Sequence, residues 1–157
     1  MKKLVLILVI FILFALAFFS KIYLSSIQPV KIAEKKAIAL AEKKVKLSKV
    51  DDFHLYNRTE TVYVIEGKNE HGEKIIIWIP EKSKNVVVKK AKDGITKSEA
   101  VQKLEETKNP KKIVSVRLGM IHHIPSWEIY YHSDNNLINY YYIDFESGEW
   151  LKKYENF

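Results

Sequence analysis

Residues 4–19 read LVLILVIFILFALAFF, sixteen positions without a polar side chain. Continued through Ile22 and Leu24, the run gives about 21 residues, or roughly 31 Å of helix, enough to cross a bilayer's hydrocarbon core. Lys2 and Lys3 lie before it, so the positive-inside rule places that flank in the cytoplasm and everything after Leu24 outside. Lys21 can snorkel and Tyr23 suits the outer interface. The expected location is the cell membrane, single-pass, with the C-terminal domains extracytoplasmic. Ala15-Leu16-Ala17 also fits a signal-peptidase pattern. Phe18 and Phe19 continue the apolar run past that cut, which favours a retained anchor.

The chain has no cysteine. Lipoprotein attachment, a disulfide framework and thiol chemistry are thereby excluded, and the exported part is held by its core alone. Lysine outnumbers arginine 24 to two, the two being Arg58 and Arg117. With many Ile and Asn, this bias points to an AT-rich bacterial genome and hence to a chain facing a cell wall.

Beyond the apolar run one pattern is written twice. Residues 25–30 read as a linker, and residues 30–47 space Ala33, Ala37, Leu40, Ala41 and Lys44 at helical intervals. Four β-rich runs follow (DDFHLYN, TVYVIEGKN, EKIIIWIPE, KNVVVKK), with the turn NEHG after the second. Then DGITKSEAVQKLEE begins again: Thr96 with Glu99 forms a capping box, Ile95 is placed to staple onto Ala100, and a helix starts at residue 97. It stops before Asn109-Pro110. Four more strand-like runs follow (KKIVSVRLGMI, SWEIYYHS, LINYYYIDF, EWLKKYE), and SDNN at 133–136 answers NEHG. The repeat offset is roughly 64 residues, and units this small are expected to pack on one another.

The stretch GITKSEAVQKLEE, a strand, and WEIYYHSDNNLINYYYIDFESGEWLKK resemble a PepSY domain, with its leading helix, aromatic strand and closing D-x-x-[ST]-G-x-hydrophobic turn at residues 144–150. With the apolar N-terminus, YVIEGKNEHGEKIIIWIP and VVV, the whole chain resembles the TseB-like (YpmB-like) family of cell wall elongation regulators. The resemblance implies an α+β fold: an N-terminal transmembrane helix, then two tandem cystatin-like/PepSY-like units, each a helix on a roughly four-stranded antiparallel sheet. The expected organisation is an anchor at 1–24, a linker at 25–30, a first domain at 31–92 and a PepSY-like domain at 93–157. It also implies a non-enzymatic regulator or adaptor of wall elongation whose partner is a penicillin-binding protein. The family offers no catalytic residue. Peptidase inhibition is the alternative that PepSY and cystatin-like folds imply, although the cystatin loop Q-x-V-x-G is absent.

Residue by residue, the same reading holds. In 140–145, Tyr141, Ile143 and Phe145 face the core while Tyr140, Tyr142 and Asp144 face away. Asp144 and Glu146 share a strand face as a glycosidase pair would, but no neighbouring polar cluster orients them, so Asp144 is read as a turn residue. Tyr130, Tyr140 and Tyr142, opposite the core set, form either a partner surface or a face covered by the other unit. His122 and His123 point to opposite faces, leaving too few ligands with His132 for zinc. No G-x-S-x-G, S-x-x-K or phosphate loop occurs. The expectation is therefore no catalytic, cofactor or metal residue.

Residues 31–92 carry a net charge of +6 and residues 93–157 a net of −2. Lys35, Lys36, Lys43 and Lys44 on the first helix are the candidate contact with anionic lipid or wall polymer, against a plain solvated face. Export excludes nucleic acid as a partner.

Overall fold

The computed structural model describes residues 2–134 and 137–154. The chain divides into two units, residues 1–36 and 37–157. One helix, α1 (Lys2–Ala41), begins in the first and ends in the second. It is long and apolar enough to cross a membrane. Most of its described large apolar side chains, among them Phe11, Phe14, Phe19 and Leu24, are exposed, unlike those of a soluble core helix, while Ile27, Ile38 and Leu40 are half-buried.

Two differences from the sequence reading appear here. The expected linker at 25–30 is helical, and Pro29 lies inside α1. Ser26 donates its hydroxyl to the Ile22 carbonyl at 2.9 Å, the back-bond to the preceding turn that a helical serine makes. The helix also ends at Ala41, not at residue 47. Lys44 and Val45 close the last turn onto the Ala41 carbonyl at 2.8 and 3.0 Å. Leu47 already pairs with Asn69 in a sheet, and Lys46 meets Glu70 at 3.3 Å; ladder pairing overrides helix propensity there.

The second unit holds two four-stranded antiparallel sheets in simple meander order. The first comprises β1 (Leu47–Asn57), β2 (Thr61–Asn69), β3 (Lys74–Pro80) and β4 (Val87–Lys90). The second comprises β5 (Lys112–Ile121), β6 (Ile124–His132), β7 (Ile138–Asp144) and β8 (Trp150–Tyr154). Equivalent strands start 63 to 65 residues apart, which is the repeat read from the sequence. Between the sheets runs α2 (Lys97–Thr107), opened by the Thr96–Glu99 capping box. Of the two answering turns, NEHG is tied by Asn69, whose side-chain oxygen accepts from the His71 and Glu73 amides at 3.0 Å each. In SDNN, Asn135 and Asn136 lie outside the described residues.

A single core joins both sheets. Tyr56, Val62, Val64, Ile76 and Trp78 of the first meet Ala100 and Leu104 of α2 and Leu118, Trp127, Ile129, Tyr141, Ile143 and Phe145 of the second. The inward set predicted for 140–145 is confirmed, Tyr141, Ile143 and Phe145 all being core; of the outward set, Tyr142 is buried as well. The other face of the first sheet buries Tyr63, Ile65, Ile75, Ile77 and Ile79, and Ala37 and Ala41, one turn apart on α1, are fully buried as well. Burying about a dozen large apolar side chains at roughly 1.5–3 kcal/mol each is what holds a cysteine-free body together.

Candidate functional site

On the second sheet, the face turned away from the core carries an ion. Glu128 on β6 is 1% exposed, and its ladder neighbours are Arg117 on β5 and Tyr142 on β7. Its Oε1 accepts from Arg117 Nε at 2.7 Å and Nη2 at 2.6 Å. Its Oε2 accepts from the Tyr142 hydroxyl at 2.8 Å, the Tyr56 hydroxyl at 3.0 Å and Arg58 Nε at 3.2 Å. Tyr56 and Arg58 come from β1 and the residue just past it, so the first sheet reaches over the second to complete the set. Gly119 makes room for this: a Cβ there would lie 2.5 Å from the Tyr56 ring.

Electrostatics follow from that crowding. Burial pushes the Glu128 carboxyl up, but hydrogen bonds from Tyr142 and Arg117 together with the Arg117 charge outweigh it and hold the group below the ordinary carboxylate range. Burial and the adjacent Glu128 charge raise the phenols of Tyr56 and Tyr142. Both phenols therefore remain donors and the carboxylate an acceptor, a closed circuit with no proton to give or take at neutral pH. The site is a clamp between sheets.

Outside the clamp the face opens to solvent. The Arg58 guanidinium lies 4.2 Å over the Tyr140 ring. Tyr140 stacks on Tyr130 with centroids 5.1 Å apart, and Tyr130 contacts His132 at 5.6 Å. Tyr130 and Tyr140 are half-buried. Tyr142, grouped with them from strand alternation, is 0% exposed; its hydroxyl belongs to Glu128, and it drops out of any partner surface. On this face Tyr142 is covered, with Tyr56 of the first sheet beside it, while Tyr130 and Tyr140 remain partly accessible.

The remaining sequence candidates scatter. Asp144 closes its turn, its side-chain oxygen accepting from the Glu146 and Ser147 amides at 2.9 and 2.6 Å, and Gly148 adopts φ +68°. Glu146 pairs instead with Lys89 of β4 at 2.8 Å. His122 and His123 form the two-residue tip of the β5–β6 hairpin at φ +48° and +66°, and His132 ends β6 at the opposite extremity. Lys35, Lys36, Lys43 and Lys44 are all exposed. Lys43 and Lys44 border a shallow pocket of about 330 Å³ with Lys46, Glu70 and His71.

Sequence reasoning missed Glu128, Tyr56 and both arginines. A signal existed: the chain's only two arginines converge on one carboxylate. Lysine could not replace them, since it lacks the planar fork that grips an oxygen twice and stacks on a ring.

Fold and site define a class, tandem helix-plus-sheet units locked together by a buried ion and showing a tyrosine–arginine face. Residues 36–80 match the family described as cell wall elongation regulator TseB-like domain, and residues 94–154 match the peptidase propeptide and YPEB (PepSY) domain. The chain is 28% identical over 134 residues to the Bacillus subtilis (strain 168) protein named "Probable cell wall elongation regulator TseB", covering 85% of this chain and 83% of that one. A solved structure, the YpmB protein from Bacillus subtilis, superposes with a TM-score of 0.73 at 27% identity, over 77% of this chain and 95% of the other. Together the two domain matches, the relative and the solved structure support the TseB-like (YpmB-like) family with a C-terminal PepSY domain.

Proposed function

We propose that this protein is a membrane-anchored, extracytoplasmic regulator of cell wall elongation that acts by contact with a wall-synthesis enzyme of the penicillin-binding class. The regulatory role rests on the relative named a probable cell wall elongation regulator. Anchoring rests on α1, whose exposed apolar surface lipid would cover. A non-enzymatic mode accords with the names of both matched domains.

The observation that carries contact as the mechanism is the ladder of Arg58, Tyr140 and Tyr130. Tyrosine and arginine are among the residues most enriched where binding energy concentrates, and Arg58 is held from behind by Glu128, which lowers the entropy lost on docking. Lys35, Lys36, Lys43 and Lys44 would add attraction to anionic lipid or wall polymer, weakening with salt.

A photo-crosslinking residue at position 130 or 140 in living cells tests this. Capture of a penicillin-binding protein at both positions, and not from a control at exposed Glu105 on α2, is the expected result. Equal capture at all three positions, or none, overturns the assignment of the face. The propeptide description of residues 94–154 favours a second reading, peptidase inhibition, for which stoichiometric loss of extracellular peptidase activity on titration is the signature.

A further inference from the structure

A second cluster lies on the core-side face of the first sheet, independent of the tyrosine face. Asp52 on β1 is the direct cross-strand partner of Glu66 on β2. His54, two residues on, points to the same side. One ligand atom from each of the three residues lies within 4.8 Å of the others. Asp52 is exposed, while His54 and Glu66 are half-buried.

The imidazole is already oriented. Its Nε2 lies 2.9 Å from the Leu118 carbonyl oxygen on β5. A carbonyl only accepts, so Nε2 carries the hydrogen and, in the neutral ring, Nδ1 presents a bare lone pair. That lone pair faces Asp52 Oδ2 at 3.2 Å. Two acceptors at this distance repel unless a positive charge lies between them. The spacing is close to the roughly 3.3 Å edge of a tetrahedron with metal–ligand bonds of about 2.0–2.1 Å. A backbone carbonyl holding the far nitrogen of a metal-binding histidine is the usual outer-shell arrangement. Glu66 adds a second carboxylate beside Asp52 on the same sheet face.

We propose that Asp52, His54 Nδ1 and Glu66 bind a divalent transition-metal ion of the zinc class, with solvent in the remaining position. One nitrogen among two oxygens favours zinc over magnesium, which takes oxygen ligands. The exposed Asp52 edge provides entry. Because the same ring reaches the Leu118 carbonyl, an ion here would fasten the first sheet to the second at a point distinct from Glu128.

The test uses the full-length chain in detergent micelles, stripped with chelator and titrated with Zn²⁺ or Mg²⁺ by calorimetry at pH 7.5. The expected result is one Zn²⁺ per chain, no comparable Mg²⁺ binding, and weakening of at least about 10-fold in Asp52→Asn and Glu66→Gln. Both variants keep side-chain shape, and their circular dichroism is checked against the parent. Nitrogen NMR of the histidine rings would show Zn²⁺ perturbing His54 at Nδ1. Zn²⁺ binding that both variants retain places the ion at another histidine and overturns the proposal. Absence of binding at millimolar Zn²⁺ overturns it too, leaving an imidazolium as the bridging charge.

Discussion

Replacing Glu128 by glutamine keeps the side chain's shape and removes its charge. Five donor contacts end on the two carboxylate oxygens, from Arg117 twice, Tyr142, Tyr56 and Arg58. A glutamine keeps one acceptor oxygen and turns an NH₂ group toward donors, so either the arginine fork or the tyrosine pair loses its acceptor. Hydrogen bonds to a charged group are worth about 1.5–3 kcal/mol net. Removing one partner of a buried ion pair costs about 3–5 kcal/mol. The Arg58 and Arg117 side chains are 31% and 42% exposed, so water recovers part of the loss, and about 3 kcal/mol at pH 7 is the expected cost. For a body of this size that lowers Tm by roughly 10 °C.

Acid distinguishes this mechanism from a packing defect. The folded carboxyl of Glu128 sits below its ordinary value, so the unfolded chain takes up its proton first as pH falls. The contribution of Glu128 is therefore complete above the unfolded carboxyl pKa of about 4.3 and is lost as pH drops through the lower folded value. The gap between parent and Glu128→Gln should be full at pH 7 and shrink below about pH 4.3. Urea unfolding of the full-length chain in micelles, followed by tryptophan fluorescence, measures it. A gap under about 0.5 kcal/mol at pH 7, the ordinary scatter of surface substitutions, would refute the clamp, as would a gap that persists undiminished at pH 2.5.

Three further outcomes are expected from the same unfolding assay. Ser126 is 0% exposed and its hydroxyl finds no partner among the described residues, so Ser126→Ala should be neutral or stabilising by about 1 kcal/mol. Gly119→Ala drives a methyl against the Tyr56 ring and should cost about 1–3 kcal/mol, displacing the tyrosine from Glu128. At the β5–β6 hairpin tip His122 and His123 both take left-handed backbone, where Asn-Gly is preferred; the double change His122→Asn with His123→Gly should add about 1 kcal/mol.

Much of the fold was legible because local rules and burial agreed. The Thr96–Glu99 box placed the start of α2, and alternation sorted Tyr141, Ile143 and Phe145 onto the core face. What failed were the places where one level of structure overrules another. Residues 25–30 have turn-forming composition yet are helical, and residues 42–46 have helical composition yet form a turn that leads into the ladder at Leu47. Tyr142 has the alternation of a surface residue, yet it is buried at Glu128, where Tyr56 and Arg58 arrive from the other sheet. Contacts 70 or more residues apart, such as Tyr56 to Glu128, leave no periodic trace along the chain.

What they do leave is a choice of residue. Of 26 basic side chains, 24 are lysine, so arginine at 58 and 117 stands against the chain's own bias. Both sit at Glu128, and the two are not equivalent. Arg117 lies on the same sheet and gives one carboxylate oxygen two N–H groups, neutralising the charge that folding buries. Arg58 comes from the other sheet and divides its guanidinium between the second oxygen and the Tyr140 ring. It thereby links the inter-sheet clamp to the partly accessible tyrosines, so a partner docked on Tyr140, as proposed above, would act through Arg58 on the bond between the sheets. Arg58→Lys keeps the charge but loses the planar stack, and it should loosen the tyrosine face while leaving the Arg117–Glu128 pair intact. Under the function proposed above, a docking face and an internal clamp that share one guanidinium would convert contact at the surface into a change in how firmly the two sheets are joined.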